Sequence, residues 1–479
     1  MGTLSSALIG SASALDTFQY ALSVTQNNID NSSTAGYAKQ EAVLQADPFD
    51  PAGGLSGGVS QGQMVDSRDL LAERDVWQQS AAQGDATAQN DALSEVQNAL
   101  PTSSGSGIPA ALTTFFNDVS AWSASPDDAS IRQNVMDDAA TVVQSFQTTA
   151  AAVANVAQST GQSITSTVDQ INQLSTQLST LNAGVQNGGQ HDAGLQAQIY
   201  STLQSLSGLV NITVLPQQDG TVTVSMTGGA PLVVGPNAYA LSVGSAAAPT
   251  PQPVDNVAPP LTTILASDGS DVTSQVTSGT LHGLLQVSNV TIPGLTGDAS
   301  QVGSLNQLAQ NFAETVNQIV SQGSISNGVP ATTGLFVSDP THPTSAAADL
   351  AVDPGMTASL LPAIDQNGVS NGVPLALAAL ANPTQAADEI NGVSYTGFYG
   401  DTAGQVGSQL DQAQSNQTLT GQLVAQAETT RQNVSGVSIN AEAINVLQFQ
   451  EGYQAVAKVV STLQDLTQTL IDMFTPAAS

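Results

Sequence analysis

The residues that could do chemistry are few. There are three histidines, His191, His282 and His342. None has a second histidine at the helix-face spacing of a metal motif such as H-E-x-x-H, so each reads as a surface or core residue. The acid pairs Asp127-Asp128 and Asp137-Asp138 raise glycoside hydrolysis. That reaction needs two carboxylates facing each other across a sugar. Adjacent residues of a helix point in different directions, and aromatics are only 4 % of the chain, so the pairs read as a solvated helix face. Trp77 and Trp122 lie in amphipathic stretches and read as packing residues. No G-x-S-x-G elbow joining a strand to a helix, Walker motif, G-x-G-x-x-G after a strand or calcium loop is found. Cysteine is absent, which excludes disulfides, thiolate catalysis and cysteine metal sites. The chain therefore reads as a non-enzyme, with no catalytic, cofactor-binding or metal-ligating set.

Charge narrows the partners. Lys and Arg number 6 and Asp and Glu 38, for a net charge of -32. A nucleic-acid binder needs clustered cations to displace counterions from phosphates, and an anionic membrane surface asks for the same. Neither nucleic acid nor membrane is expected as a partner. No apolar run of ~20 residues is present to span a bilayer. The first residues lack the basic patch and apolar core of a secretory signal. Met1-Gly2-Thr3-Leu4-Ser5-Ser6 formally fits a myristoylation pattern, but the same residues begin an apolar stripe. Apolar residues reach 41 %, enough for folded helices. The 479 residues suggest about three domains at ~150 residues each.

The clearest pattern lies at the two ends. Leu4, Leu8, Ser11, Leu15, Phe18, Leu22, Thr25 and Ile29 recur at alternating steps of four and three, and so do Val446, Phe449, Tyr453, Val456, Val460, Leu463, Thr467, Leu470 and Phe474. That is a heptad rhythm, which lays a narrow apolar seam along each helix. Residues 3–30 read as one helix, stopped by the polar run Asn31 to Tyr37. Residues 46–62, with Pro48, Pro51 and five glycines, read as an extended connection. Helical spacing returns over 66–99. It returns again from Asp127-Asp128, which suit a helix start, to about Asn182. Val210, Ile212, Val214 and Val222, Val224, Met226 alternate around Asp219-Gly220 and predict a hairpin. Helices are expected again at 302–319, 402–433 and 439–474.

The resulting fold class is α+β, elongated and multi-domain. Paired N- and C-terminal coiled-coil helices enclose a helix-rich domain, which carries an inserted β-rich outer part. The expected boundaries are 1–45 (N-terminal assembly segment), 46–208 and 300–434 (the two parts of the helix-rich domain, with a Gly/Pro-rich insertion near 323–400), 209–299 (the β-rich insert) and 435–479 (C-terminal assembly segment). The chain is read as going out and coming back, its two halves pairing at each level.

Two motifs bear a resemblance. The run Asn27-Asn28-Ile29-Asp30-Asn31-Ser32-Ser33-Thr34-Ala35-Gly36-Tyr37-Ala38-Lys39-Gln40 resembles the N-N-I-x-N-x-x-T-x-G-Y-x-R-Q signature of bacterial flagellar rod, hook and hook-associated axial proteins, with Lys39 in place of the common Arg. Ser435-Gly436-Val437-Ser438-Ile439-Asn440-Ala441-Glu442, then Gln450, Tyr453-Gln454-Ala455 and Lys458, is similar to the matching C-terminal signature. Ser435-Gly436-Val437, Leu281 to Val287 and Ile292-Pro293-Gly294 favour the hook-associated members at the junction of hook and filament. The resemblance implies a structural subunit required for filament assembly and motility. It implies export through the flagellar type III apparatus without a cleaved signal peptide, and an extracellular place in the flagellum. Its implied partners are further copies of itself in a ring, the hook protein, a second junction protein and a type III export chaperone; no cofactor is implied. A hook or distal-rod subunit is the alternative within the family. A secreted carbohydrate-active enzyme, with 209–400 as its catalytic part, is the alternative of another class.

Overall fold

The computed structural model describes residues 2–50, 55–102, 105–189, 192–246, 258–325 and 329–474. The chain opens with α1 (Gly2–Asp30), strands β1 (Gln40–Asp50) and β2 (Leu55–Asp66), and helices α2 (Leu70–Ala99), α3 (Gly107–Ala124), α4 (Ala129–Gly184) and α5 (Ala193–Leu209). Short strands follow: β3 (Ile212–Pro216), β4 (Val222–Met226), β5 (Pro231–Val234), β6 (Asn237–Ala238), β7 (Ser242–Ser245) and β8 (Thr262–Leu265). Then come α6 (Thr280–Gln286), α7 (Ile292–Thr296), α8 (Ser304–Ser321), the two-residue strands β9 (Ser324–Ile325), β10 (Val329–Pro330), β11 (Phe336–Val337) and β12 (Ala351–Val352), and short helices α9 (Ala346–Asp349) and α10 (Gly372–Ala379). Helices α11 (Tyr395–Ser435) and α12 (Ile439–Phe474) close the chain.

The out-and-back path is literal. Arg431 meets Glu73 and Gln417 meets Thr87, so α11 runs antiparallel to α2. Glu442 meets Asn28 and Phe449 meets Phe18, so α12 runs antiparallel to α1. The longest element, α4, has 56 residues, about 84 Å at 1.5 Å each. Its first turn is capped by the Asp128 carboxylate, which accepts the N–H groups of Ser130 and Ile131. Its buried stripe of Val142, Phe146, Val153, Ile164, Val168, Ile171 and Leu178 is the wall against which the other elements pack. Both tryptophans are buried packing residues: Trp122 donates to the Pro126 carbonyl, and Trp77 stacks on Tyr200.

One apolar core runs from Trp77 to Ala413. Its centre is aromatic: Phe312 of α8 lies 5.8 Å from Phe115 of α3, 5.3 Å from Phe336 of β11 and 5.5 Å from Tyr395 of α11. The hairpin at 212–226 pairs Ile212 with Met226 and Val214 with Val224, and Gly220 turns it with φ +82°. Strands β3 to β6 form one antiparallel sheet.

Asparagine side chains fasten these pieces, Asn182 buried and Asn172, Asn289 and Asn317 half-buried. Asn172, Asn182, Asn289 and Asn317 each donate Nδ2 to a backbone carbonyl and accept a backbone N–H at Oδ1. Each amide thus pairs as a strand neighbour would. Asn182 in this way ties the end of α4 to Val222 of β4.

The structure departs from the expected boundaries in three places. Residues 46–62 are not merely an extended connection: the described part forms the β1–β2 hairpin, which lies on α1, and the boundary at 45/46 falls inside β1. The expected β-rich insert at 209–299 ends in α6 and α7, whose Leu281, Leu285 and Leu295 join the main core. Its strands are four or five residues long or shorter, and bury Val222, Val224 and Leu232 in that core rather than in one of their own. Among the described residues, 323–394 hold two-residue strands, short helices and turns and seat Leu335, Phe336 and Leu361 in the core, while 395–400 already belong to α11.

The second acid pair has an effect on stability. Desolvation first, then the facing Asp118 on α3, and then the neighbouring Asp137 raise the Asp138 carboxyl from 3.8 to about 6. The folded chain therefore holds this proton more tightly than the unfolded one. The stabilisation is complete below pH 3.8 and is lost as the pH rises through about 6. Asp138→Asn is expected to raise the melting temperature at pH 7.5, with the gain fading by pH 4. Equal gains at both pH values in thermal unfolding would show that the carboxyl is not strained.

Candidate functional site

The predicted seam residues are on α1 and α12, and the structure brings the two helices together along one face of each. Phe18 and Phe449 approach to 6.5 Å between ring centroids. Phe18 also covers Gly452, where a Cβ would lie 2.8 Å from its ring, so the glycine is the hole for this knob. Val446, Phe449, Val456, Val460 and Leu463 are half-buried on α12, while Tyr453 and Leu470 are exposed.

On α1, Leu4, Leu8, Leu15, Phe18, Leu22 and Ile29 are only half-buried. The fully buried line is made of smaller residues: Ala14, Thr17, Ala21, Val24, Thr25 and Asn28. The cause is the β1–β2 hairpin. It closes on α1 near enough for the Thr17 hydroxyl to donate to Val59 O at 3.4 Å, as well as to Ser13 O. Small side chains admit that approach. α1 is thus wedged between a helix and a hairpin, and its leucines lie at the seam's margin.

The family-motif residues build a joint where these end segments meet α2, α5 and α11. Asn28 and Gln40 form a reciprocal amide pair: Asn28 Nδ2 donates to Gln40 O at 2.8 Å, and Gln40 N–H donates to Asn28 Oδ1 at 2.9 Å. The Tyr37 hydroxyl lies 2.9 Å from Oδ1 of both Asn27 and Asn28. Burial, with Asp66 and Glu442 nearby, pushes the phenol up to about 12, so it stays a donor. Asn31 and Thr34 shape the turn after α1, since Asn31 donates to Asn27 O and Thr34 to Asn31 Oδ1. Ser435 accepts Lys39 N–H at its carbonyl and Asp69 N–H at its hydroxyl, both at 2.9 Å. Gly436 follows α11 as its cap, and Val437 is buried beside it. Gln450 and Gln454 are exposed on α12, away from the joint.

Charge completes the joint, and sequence reading missed most of it. Glu73 of α2 is 1 % exposed and receives Arg68 Nη1 at 2.6 Å and Arg431 Nη1 at 3.4 Å. Arg68 also donates to Gly36 O at 2.8 Å, and its guanidinium lies 3.7 Å over the Tyr200 ring. Arg431 reaches Gln204 Oε1 at 2.9 Å. Glu442, as buried as Glu73, accepts from Asn28 and lies 3.9 Å from Lys39 Nζ. Three of the chain's six cations, Lys39, Arg68 and Arg431, therefore converge here. The signal was the scarcity of cations itself. What hid the grouping is the 358-residue separation of Glu73 and Arg431.

Other candidates for chemistry stay apart. His282 pairs with Asp85 and His342 with Asp339, each at 2.9 Å, and His191 lies outside the described residues. Among the described residues no group of three or more His, Asp or Glu could hold a metal, and no helix is long and apolar enough to cross a membrane. A cleft of about 700 Å³ between α4 and segment 259–297 is lined by Ala150, Ala154, Pro259, Ile292 and Pro293. Asp349 is its one acid and no Phe, Trp or Tyr lines it, so it lacks the facing carboxylates of a glycosidase.

Two outcomes check the joint. Gly36 has φ +75°, and a Cβ there would lie 2.3 Å from Ala197 O and 2.8 Å from Ser201 N, both α5 backbone that cannot yield. Gly36→Ala is expected to cost at least ~1–3 kcal/mol. Gly404→Ala, in an open helical position, should be neutral or mildly stabilising. Equal denaturant midpoints for the two variants would refute the close packing at 36. Glu73→Gln removes the buried carboxylate shared by Arg68 and Arg431, leaving Arg68 with Asp66 alone and Arg431 with no acid partner among the described residues, and should cost roughly 3 kcal/mol. An unchanged midpoint would show that the arginines are solvated rather than held.

Comparison with known proteins agrees with this architecture. A family profile described as the flagellar hook-associated protein FlgK helical domain matches residues 93–336, and one described as the flagellar basal body rod FlgEFG protein C-terminal matches 429–473. The chain is 26 % identical over 494 residues to flagellar hook-associated protein 1 of Bacillus subtilis (strain 168), covering 94 % of each. It is 23 % identical over 565 residues to that of Escherichia coli (strain K12), covering 98 % of this chain and 100 % of the relative. In fold it is similar to the flagellar hook junction protein FlgK from Burkholderia pseudomallei, with TM-score 0.61 and 17 % identity over 75 % of this chain and all of that one. With a family profile spanning half its length and these relatives matched nearly end to end, the chain belongs to the flagellar hook-associated protein FlgK family, structural proteins of the bacterial flagellum.

Proposed function

We propose that this chain is a structural subunit of the junction between hook and filament, required for filament assembly and motility. Its partners are further copies of itself in a ring, the hook protein on one side, a second junction protein on the other, and a type III chaperone during export without a cleaved signal peptide. The relatives' names support the place in the flagellum. The observation that carries assembly is the surface of α12. Beyond the face that meets α1, it leaves Leu447 62 %, Leu466 49 % and Met473 76 % exposed. So much apolar surface along one helix is a binding face rather than a scatter of single residues. The C-terminal profile shared with rod proteins favours a hook or rod subunit as the second reading.

A deletion strain separates the two. The junction reading expects hooks to remain while unassembled filament protein accumulates in the medium; loss of the hooks themselves would favour the second reading. Leu463→Asp tests the seam. The substitution puts a charge where a half-buried leucine sits between helices. The core from Trp77 to Ala413 excludes α12, so the variant should keep its main melting transition and secretion while incorporation falls to background. Normal motility with Leu463→Asp would reject the seam as an assembly surface.

A further inference from the structure

The tripeptide Asn-Gly-Val recurs at 327–329, 367–369, 371–373 and 391–393. Asn-Gly holds latent chemistry of its own. The glycine amide nitrogen has no side chain beside it, so it can attack the asparagine Cγ. An N–Cγ bond forms, the bond from Cγ to Nδ2 breaks, Nδ2 leaves as ammonia, and a succinimide ring results. Water opens the ring at either carbonyl, giving aspartate or isoaspartate. In isoaspartate the main chain runs through the side chain and is one methylene longer. The sum is asparagine plus water to acid plus ammonia. Attack needs a glycine N–H and a side-chain amide that are not held elsewhere, and a backbone free to turn.

Asn327 lies outside the described residues. The other three copies share the reacting residues, so the fold sets them apart. At 367 the loop is tied down: the Asp365 carboxylate accepts the N–H groups of Asn367 at 2.9 Å and Val369 at 2.8 Å, and Gly368 N–H donates to Asp365 O at 3.0 Å. At 371 the side-chain amide donates to Ser123 O at 2.8 Å, Gly372 N–H donates to Val369 O at 3.1 Å, and Gly372 begins α10. At 391 neither the side-chain amide nor Gly392 N–H has a hydrogen-bond partner among the described residues. Both residues are exposed, and a Cβ at Gly392 would meet nothing within 4 Å. The turn is closed only by Ile390 N–H to Val393 O at 3.0 Å and Val393 N–H to Ile390 O at 3.1 Å. Asn391, with φ +51°, is also the one non-glycine among the described residues in the left-handed region.

We propose that Asn391 and Gly392 form a self-modifying site, at which the folded chain converts Asn391 to aspartate and isoaspartate with water as the only co-reactant. Opening the one pair of bonds across the turn frees the backbone for attack, and nothing else has to be displaced. The product matters because of its place. Ser394 follows the turn, and its hydroxyl accepts Gly397 N–H at 3.2 Å to cap α11. Tyr395 comes next and belongs to the aromatic centre beside Phe312. An extra methylene in the turn breaks the pairing of Ile390 with Val393, and the new carboxylate joins Asp388 and Glu389. The site thus records the age of the folded chain at the start of α11. The inference does not depend on the junction reading.

Ageing the purified full-length protein in mildly alkaline buffer tests this. Peptides carrying each asparagine would be followed by mass spectrometry for the gain of one mass unit, and isoaspartate by isoaspartyl methyltransferase labelling. In the folded chain Asn391 is expected to convert about tenfold faster than Asn367 or Asn371, because fewer hydrogen bonds hold it. In guanidinium chloride the three rates should come within about twofold of one another. A folded-state rate at Asn391 no faster than at the other two, or a gap that survives in guanidinium chloride, would overturn the proposal. Hydrogen exchange reads the consequence. The aged protein should lose protection at Val393, and an equally aged Asn391→Gln variant should keep it. Equal loss in both would remove Asn391 as the cause.

Discussion

Scarcity of positive charge constrains everything else. With 6 cations against 38 acids, the chain cannot use ion pairs as general fasteners. It has no cysteine for disulfides either. Cohesion falls to apolar packing and to neutral amides. The asparagines that imitate strand neighbours fit this constraint, because an amide satisfies one donor and one acceptor without needing a counter-charge. The few cations available are therefore informative where they are buried. Half of them meet Glu73 or Glu442 at the one place where the end segments join the helical body.

That placement has a physical reason. The joint must connect segments that share little apolar surface. The main core stops at Trp77 on one side and Ala413 on the other, and neither α1 nor α12 belongs to it. Without a large apolar interface, orientation depends on directional bonds. A carboxylate holding two guanidinium groups sets both distance and angle. The Asn28–Gln40 amide pair and Ser435, bonded to both Lys39 and Asp69, add backbone registration.

Much of the architecture was legible in the residues. The heptads marked α1 and α12, Asp128 marked the start of α4, and the alternation around Asp219-Gly220 marked β3 and β4. Periodicity reports which face of an element is apolar, and those faces are packed. It cannot report what arrives from elsewhere in the chain. The hairpin was read as a connection because its glycines and prolines masked the alternation, and its closeness to α1 is what shifts the buried line from Leu15 and Leu22 to Ala14 and Ala21. The motif around Asn28, Gly36 and Tyr37 was visible as a pattern, while Arg68, Glu73 and Arg431 were not. Their grouping depends on the antiparallel register of α2 and α11, which no local spacing encodes.

The buried line on α1 also explains where apolar surface stays exposed on the end segments. Had α1 buried its leucines against α12 alone, each end helix would have spent its apolar stripe inside the molecule. Instead small residues receive the hairpin, the leucines are left at the margin, and α12 keeps an apolar face toward solvent. A two-helix pair covered on one side by a hairpin is too thin to bury both faces of both helices. Its remaining apolar area can be satisfied only by neighbours. The helical body, with its aromatic centre closed on itself, makes no such demand. The division between a self-sufficient body and end segments that need company is what a subunit of a polymer requires, and the charged joint lets one orient the other.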